Sequence, residues 1–271
     1  MEIDLSDRID KYRTLCTQEL SIPLFSQAWW LDATAGEGVW DVALVFEKDE
    51  IVASMPYVVK RKFGFTIISQ PILTQCLGPW LRPSTAKYSR QLGLQKKRIQ
   101  ELFAQLPRFD HFQQHWHHSL TNWLPVYWMK FQQTTRYTYV IDGMNNLDDV
   151  LSNFDASYRN KIKKAEKIVT IKHDLSIEEF YKINSLTFSR QKLETPYSLE
   201  FLRHHDQILS CVGRRKIFYA QDQDGKIHSA LYLTWDSSSS YVHMVGEDPD
   251  LRNSGAGILL IWEAIKYTAN V

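Results

Sequence analysis

A glycine-rich turn near the carboxyl end of the sequence carries its most specific chemistry. It follows a strand-like run, Tyr241 to Val245, and precedes an amphipathic helical pattern. Glycines let the backbone approach a ligand closely, and the first N–H groups of a helix have no partner within the helix. We therefore predict a phosphate-binding loop, although an ordinary glycine turn before a helix has the same pattern. The residues expected to contact the phosphates are Arg252, Asn253, Ser254, Gly255, Ala256 and Gly257.

A run of basic residues is the second candidate for binding. Five of the nine residues from Arg159 to Lys167 are basic. On a helix, Arg159 and Lys163 share one face, and like charges at this spacing repel one another. Such a face suits an anionic ligand: a phosphate, a carboxylate or a tRNA backbone. We predict that Arg159 and Lys163 contact substrate, whereas a solvated helix surface is the alternative.

A histidine cluster is the third candidate. It lies among aromatic residues and comprises His111, His115, His117 and His118. Two histidines on one strand face could chelate a metal, but only Asp110 stands nearby to complete a ligand set. We therefore predict no metal site and expect the histidines to line a groove or pack in the core.

The composition limits the classes of protein to consider. Hydrophobic residues make up 44% of the 271 residues, charged residues 23%, and the net charge is +1. We expect a hydrophobic core of ordinary size. The net charge gives no overall electrostatic attraction to nucleic acid or to an anionic membrane. The three cysteines form no disulfide or zinc pattern, and no apolar run reaches the ~20 residues of a membrane helix. We expect a cytoplasmic protein without an integral membrane segment.

The order of elements predicts a mixed α/β fold with an internal duplication. Strand, turn, strand, turn, strand, glycine-containing loop and helix occur at residues 42–106 and again at 216–268. We place one domain at 1–135 and a second at 136–271. Further predictions are a helix capped by Ser26, a strand interrupted at Pro56, and strands at Val126 to Phe131 and Arg136 to Ile141.

Three segments resemble known acyltransferases. The pattern Arg252-x-x-Gly255-x-Gly257 resembles the loop with which the GNAT superfamily holds the pyrophosphate of acyl-coenzyme A. The basic run resembles a segment of FemAB-like and CelD-like proteins, which are tandem GNAT folds, and Phe25-Ser-Gln-Ala-Trp29 resembles their entry helix. The resemblance implies two tandem GNAT-like domains and transfer of an acyl group to an amine.

A proton acceptor for the attacking amine is expected in such an enzyme. Glu247 and Asp248 end the strand that enters the loop, and His243 and Tyr241 lie within that strand. Glu247, His243 and Tyr241 are the catalytic candidates, with Tyr241 or Tyr139 as donors to a thiolate or oxyanion. The sequence gives no basis for preferring one of these catalytic candidates over the others.

The donor and the acceptor stay open. The loop favours acyl-coenzyme A, whereas the basic run and the FemAB resemblance favour aminoacyl-tRNA. The acceptor would be an amine on a small molecule, a peptide or a cell-envelope precursor, held by the first domain. That domain's loop, Thr74 to Trp80, has one glycine followed by a proline, which removes a backbone donor. A catalytically inactive GNAT-fold binding protein is the third possibility.

The resemblance also predicts a further strand after the last helix, where the sequence stops at Asn270-Val271. We therefore expect a second domain that lacks its final strands in this chain.

Overall fold

The computed structural model describes residues 5–270 and divides into two compact units. The first unit extends to Arg136 and the second begins at Tyr137. Each unit has its own mixed layers of helices and one sheet.

The first unit contains a sheet in which three antiparallel strands are followed by one parallel strand. Its elements are α1 (Leu5–Gln18), a 3-10 turn (Leu24–Ser26), α2 (Ala28–Ala35), β1 (Trp40–Glu47), β2 (Glu50–Lys62), β3 (Phe65–Ser69), β4 (Trp80–Leu81), α3 (Tyr88–Ala104), β5 (His111–Gln113) and α4 (Leu124–Trp128). The strand order is β1-β2-β3-β5, with β4 paired to β2, and β5 runs parallel to β3.

The middle of strand β1, residues 42–46, is apolar because helices cover both faces of the sheet. Trp40 and Leu44 belong to the core formed with α1 and α2. Ala43 and Val45, on the opposite face, belong to the core that includes Leu102 of α3. Successive side chains of a strand point to opposite faces, so a strand buried on both sides lacks the usual polar alternation.

Three local predictions for the first unit are wrong. Ser26 lies in the 3-10 turn, and Gln27 precedes α2 without a side-chain cap. Strand β2 is continuous through Pro56, which pairs with Val42 of β1. On its other side β2 pairs with β4 at residues 53–54 and with β3 from residue 58, so Pro56 lies between these partners, where no strand requires its missing N–H.

The third error concerns residues 126–131, for which a strand was expected. The structure has the short helix α4 there, with Pro125 in its first turn. Proline is compatible with that position because the first N–H groups of a helix have no intrahelical acceptor.

The second unit is built on an antiparallel sheet of order β6-β7-β8-β9. Its elements are α5 (Leu147–Ser152), α6 (Ala156–Ala165), β6 (Thr170–His173), α7 (Ile177–Ser189), α8 (Leu199–Cys211), β7 (Arg215–Gln221), β8 (Ile227–Trp235), β9 (Ser240–Glu247), a 3-10 turn (Arg252–Ser254) and α9 (Ala256–Thr268). Strand β9 ends this order, with no further strand beside it in residues 5–270.

Side-chain caps fix the starts of four helices in this unit. Asn146, Asp155, Ser176 and Ser198 each accept a hydrogen bond from a backbone N–H in the first turn of α5, α6, α7 and α8, respectively. These residues are typical caps because they satisfy donors that the helix leaves without acceptors. Helices α6 and α9 form the core on one face of the sheet, and Phe180 of α7 contacts Tyr232 on the other.

One prediction for the second unit is wrong, and one strand was missed. Residues 136–141 form no strand, and Tyr137 and Tyr139 are fully or almost fully exposed. Strand β6 was not predicted because its four residues are a strand only through pairing with β7. Both units nevertheless share three consecutive antiparallel strands and a later helix: β1-β2-β3 and α3, with the short β4 between them, and β7-β8-β9 and α9.

Candidate active site

The predicted loop leads from the end of β9 to the start of α9, and its backbone requires a glycine at residue 255. Gly255 has φ +81°, in the left-handed region, and is the residue that precedes α9. A Cβ atom added to Gly255 would lie 2.9 Å from the carbonyl oxygen of Lys161 in α6. The conformation and the close packing both exclude a larger residue.

The start of α9 leaves backbone donors unused. The N–H of Ala256 donates to Oγ of Ser254 at 3.3 Å. Within residues 5–270, the N–H groups of Gly257 and Ile258 have no hydrogen-bond acceptor. Donors of this kind, together with the positive end of the helix dipole, form a site for an anion.

The basic helix α6 packs directly on this loop. Nζ of Lys164 donates to the carbonyl of Asn253 at 2.5 Å, and the backbone of Lys161 contacts Gly255. The two strongest signals of the sequence are therefore brought together in one unit. Lys164 was not named as a site residue from the sequence, because the partner it contacts is far away in the chain.

The two residues predicted to contact substrate, Arg159 and Lys163, differ in whether their side chains are already engaged within the fold. The guanidinium of Arg159 donates to the carbonyls of Ser152 and Phe154, where it holds the turn between α5 and α6. Lys163 is exposed in the last turn of α6, and no ion pair or hydrogen bond engages it in the part of the chain that the structure describes. Lys163 is consequently the better candidate for an anionic ligand.

Glu247 lies at the loop. Its Oε2 accepts from Nε of Arg252 at 2.8 Å, and its Oε1 is 3.1 Å from where a Cβ atom of Gly257 would stand. The carboxylate therefore lies beside the start of α9, and Arg252 faces it. The side chain of Arg252 is 49% exposed and that of Glu247 27%, so the pair contributes at most about 1 kcal/mol.

His243 lies elsewhere because of an irregularity in β9. Tyr232 pairs with Met244 and Leu233 with Val242, so His243 is an extra residue in a bulge. Its ring centroid is 5.5 Å from that of His205 in α8 and 6.1 Å from that of Tyr232. These neighbours belong to the α7 and α8 side of the sheet, whereas Glu247 contacts α9 on the other side.

Burial determines the charge of His243. Desolvation lowers its pKa well below the usual value, and the nearby His205 lowers it further. His243 is thus a neutral imidazole near pH 7, shielded from solvent at both ring nitrogen atoms.

The shifted pKa of His243 predicts a pH-dependent stability. The unfolded chain binds a proton at this residue near pH 6.5, whereas the folded chain does not, so stability falls as the pH drops below about 6.5. The loss should approach about 1.4 kcal/mol per pH unit for one such group. Urea denaturation between neutral and mildly acidic pH should show a shallower dependence for His243→Phe than for the natural sequence. An unchanged dependence would contradict the assignment.

Tyr241 lies near the start of β9, opposite Thr234 of β8. Glu247 is six residue steps of extended chain away, a distance of roughly 20 Å. The structure therefore does not bring Tyr241, His243 and Glu247 together around one point.

Residues that hold the end of β9 were missed by the sequence reasoning. Asn184 of α7 donates from Nδ2 to the carbonyl of Val245 at 2.9 Å and accepts from the hydroxyl of Tyr197 at 2.6 Å. A Cβ atom on Gly246 would lie 2.5 Å from the backbone nitrogen of Asn184. A glycine inside a strand pattern is the signal that could have indicated this close approach.

The other candidate segments are engaged in local structure. The ring of His115 lies near Nε2 of Gln70, and Nδ1 of His117 lies 2.8 Å from Oγ of Ser119. Among residues 5–270, no three His, Cys, Asp or Glu side chains are grouped as metal ligands. In the loop of the first unit, Gly78 packs against the ring of Trp116, and α3 begins only at Tyr88.

Comparisons with known proteins agree with this arrangement. Residues 152–270 match the family model described as an acetyltransferase (GNAT) domain. The structure of FemX is similar over the whole chain and 85% of its own length, with a TM-score of 0.64 and 11% identity. A GCN5-related glucosamine N-acetyltransferase region of a fungal multi-domain β-N-acetylglucosaminidase gives a TM-score of 0.41 at 10% identity, covering all of this chain and 34% of that one. No curated protein matches the sequence.

No helix among residues 5–270 is long and apolar enough to cross a membrane. The GNAT match falls on the second unit and includes α6, β9, the glycine loop and α9, while the similarity to FemX extends over both units. Residues 152–270 are therefore similar to a GNAT acetyltransferase domain, and the fold of the whole chain is similar to that of FemX.

Proposed function

We propose that the protein is an N-acyltransferase that moves an acyl group from acyl-coenzyme A to an amine. The observation that carries this proposal is the junction of the glycine loop with α6. There, the unused N–H groups of Gly257 and Ile258 lie at the start of a helix, with Lys164 held at the loop and Lys163 available. Backbone donors and lysines together suit a pyrophosphate.

In the proposed reaction, the nitrogen of the acceptor amine attacks the carbonyl carbon of the thioester. The C–N bond forms, the C–S bond breaks, and the sulfur leaves as the coenzyme A thiolate. Glu247 takes the proton released by the amine, since it is the carboxylate beside the loop. Most of the rate acceleration comes from holding the two reactants in contact.

The first unit is proposed to hold the acceptor. The glycine of its loop does not lead directly into a helix, as it does in the second unit. Gly78 is packed against the ring of Trp116, and α3 begins only at Tyr88. The acceptor class is an amine on a small molecule, a peptide or an envelope precursor. The cytoplasm is the proposed location of the reaction.

Aminoacyl-tRNA is the second candidate donor. The whole-chain similarity to FemX and the exposed basic residues of α6 favour it. In this version the same loop and Lys163 contact phosphates of the tRNA, and the aminoacyl ester takes the place of the thioester.

Thermal unfolding with acyl-coenzyme A tests the first proposal. Ligand at about 100 times its Kd stabilises a protein by about 2.7 kcal/mol, which should raise the Tm of the full chain by about 5 °C. Gly255→Val should abolish the shift, because the side chain collides with α6 and the loop moves. Titration calorimetry with acetyl-coenzyme A gives the Kd directly.

Gly225→Val is the matched control. Gly225 has the same φ of +81° in the β7–β8 turn, where only the side-chain end of Gln221 lies near. This variant should lose stability but keep the ligand-induced shift. A shift that survives in Gly255→Val would overturn the assignment of the loop, and a response to aminoacyl-tRNA alone would establish the second donor.

A further inference from the structure

The hairpin between β2 and β3 ends in a tip that combines positive charge with exposed aromatic rings. This basic–aromatic tip consists of residues 60–65, Lys-Arg-Lys-Phe-Gly-Phe, and all six are exposed. Phe63 is 88% exposed and Phe65 is 58% exposed. The tip holds three positive charges and no acid, in a chain whose net charge is only +1.

The backbone conformation of the turn is unfavourable for a bulky residue such as Phe63. Phe63 has φ +52° and Gly64 has φ +82°, so both residues of this two-residue turn are left-handed. Such turns favour Asn-Gly, because a bulky side chain is strained in this region. The exposed ring of Phe63 gains no core packing in return, and Nζ of Lys62 lies 5.5 Å from its centroid.

We propose that the basic–aromatic tip docks the protein on a lipid surface that carries anionic headgroups. Aromatic rings at the apex of the hairpin would enter the boundary between headgroups and acyl chains, and the cations one to three residues behind would meet the phosphates. This is the order of groups that a peripheral membrane contact requires. The contact does not depend on the proposed transferase activity.

The geometry favours a lipid surface over a nucleic acid. Proteins that bind single strands place aromatic rings along a groove or sheet face, where successive bases stack and phosphates follow a basic path. Here both rings lie at the end of a hairpin, and strand β2 becomes buried from Tyr57 and Val58 inward. The tip can therefore insert into a surface at one point, whereas a nucleic-acid strand would need an extended row of contacts.

Vesicle sedimentation of the full chain tests the proposal. The protein should sediment with phosphatidylcholine vesicles that contain phosphatidylglycerol and stay in solution with phosphatidylcholine alone. Replacing Lys60, Arg61 and Lys62 together with glutamine should lower the partition coefficient by about 100-fold, since each basic residue contributes about five-fold. Phe63→Asn with Phe65→Thr should lower it by about ten-fold or more.

The aromatic substitutions are chosen to keep the fold. Asparagine is preferred at the left-handed turn position and threonine suits a strand, so unfolding would not explain a loss of binding. Tyr88→Ser removes another exposed aromatic ring, at the start of α3, and should leave partitioning unchanged. Glutamine at Lys48, Lys192 and Lys226 removes the same charge elsewhere on the surface and should also leave it nearly unchanged.

Three outcomes would overturn the proposal. These are no binding to anionic vesicles, equal binding by the tip and control variants, and displacement from vesicles by a short single-stranded RNA that binds the natural tip but not the tip variants. The last result would identify the tip as a nucleic-acid site.

Discussion

Replacing Gly246 with alanine should lower the free energy of unfolding by about 3 kcal/mol, the upper range for overpacking a core. An added Cβ atom would lie 2.5 Å from the backbone nitrogen of Asn184, 2.6 Å from the carbonyl carbon of Ile183 and 2.7 Å from Cα of Asn184. All three are backbone atoms of α7, so no side-chain rotation can relieve the overlap. Urea denaturation, followed by circular dichroism, measures the loss.

Gly93→Ala is the opposite change at a permissive site. Gly93 lies inside α3 with nothing within 4 Å of the added atom, so alanine should stabilise the helix by about 0.5–1 kcal/mol. If Gly246→Ala left the midpoint unchanged, the close approach of β9 to α7 would be wrong. Such a result would also remove the support that Asn184 is inferred to give the end of β9.

Replacing Glu247 with glutamine should lower the turnover rate of amine acylation by about 100-fold, the usual contribution of a positioned base. Glutamine retains an oxygen that accepts from Arg252, so the loop keeps its shape, but the amide cannot accept a proton at neutral pH. The Kd for acyl-coenzyme A should therefore not rise by more than about two-fold, less than half a kcal/mol. Release of the coenzyme A thiol, measured against a panel of amines, reports the rate.

Asp250→Asn is the control for this change. Asp250 is exposed in the same turn and its backbone N–H, not its carboxylate, bonds to Asp248. The variant removes one negative charge near the loop and should retain full activity. Equal losses of binding and rate in Glu247→Gln would show that the residue positions the loop rather than accepting the proton.

The sequence predicted well those parts of the fold that local patterns determine. The hairpin of β7 and β8 and the strand before the loop are largely apolar and are separated by polar turns. Helix α8 was predicted with its observed ends, Leu199 and Cys211. Elements that depend on a distant partner were missed. Strand β6 exists through its pairing with β7, and the expected strand at residues 126–131 is absent, because residues 126–128 lie in helix α4.

The candidate site follows the same rule. Each of its two signals, the glycine loop and the basic helix, is local and can be read from the sequence. Their contact through Lys164 and Asn253 joins residues 89 positions apart and depends on the packing of α6 against α9. His243 looked suitable because it precedes the loop by a few residues, but the bulge turns it toward His205.

In the proposed function, the pair of Glu247 and Arg252 also affects which anions the loop accepts. Because a carboxylate already lies beside the start of α9 and is paired with Arg252, an incoming anion competes with an internal one. A monovalent anion such as chloride replaces one negative charge with another, so its binding is only weakly favourable. A diphosphate brings more negative charge than it displaces and can engage Arg252, Lys163 and the backbone donors together. We therefore expect the loop to prefer multivalent anions over monovalent ones, irrespective of the shape of the ligand.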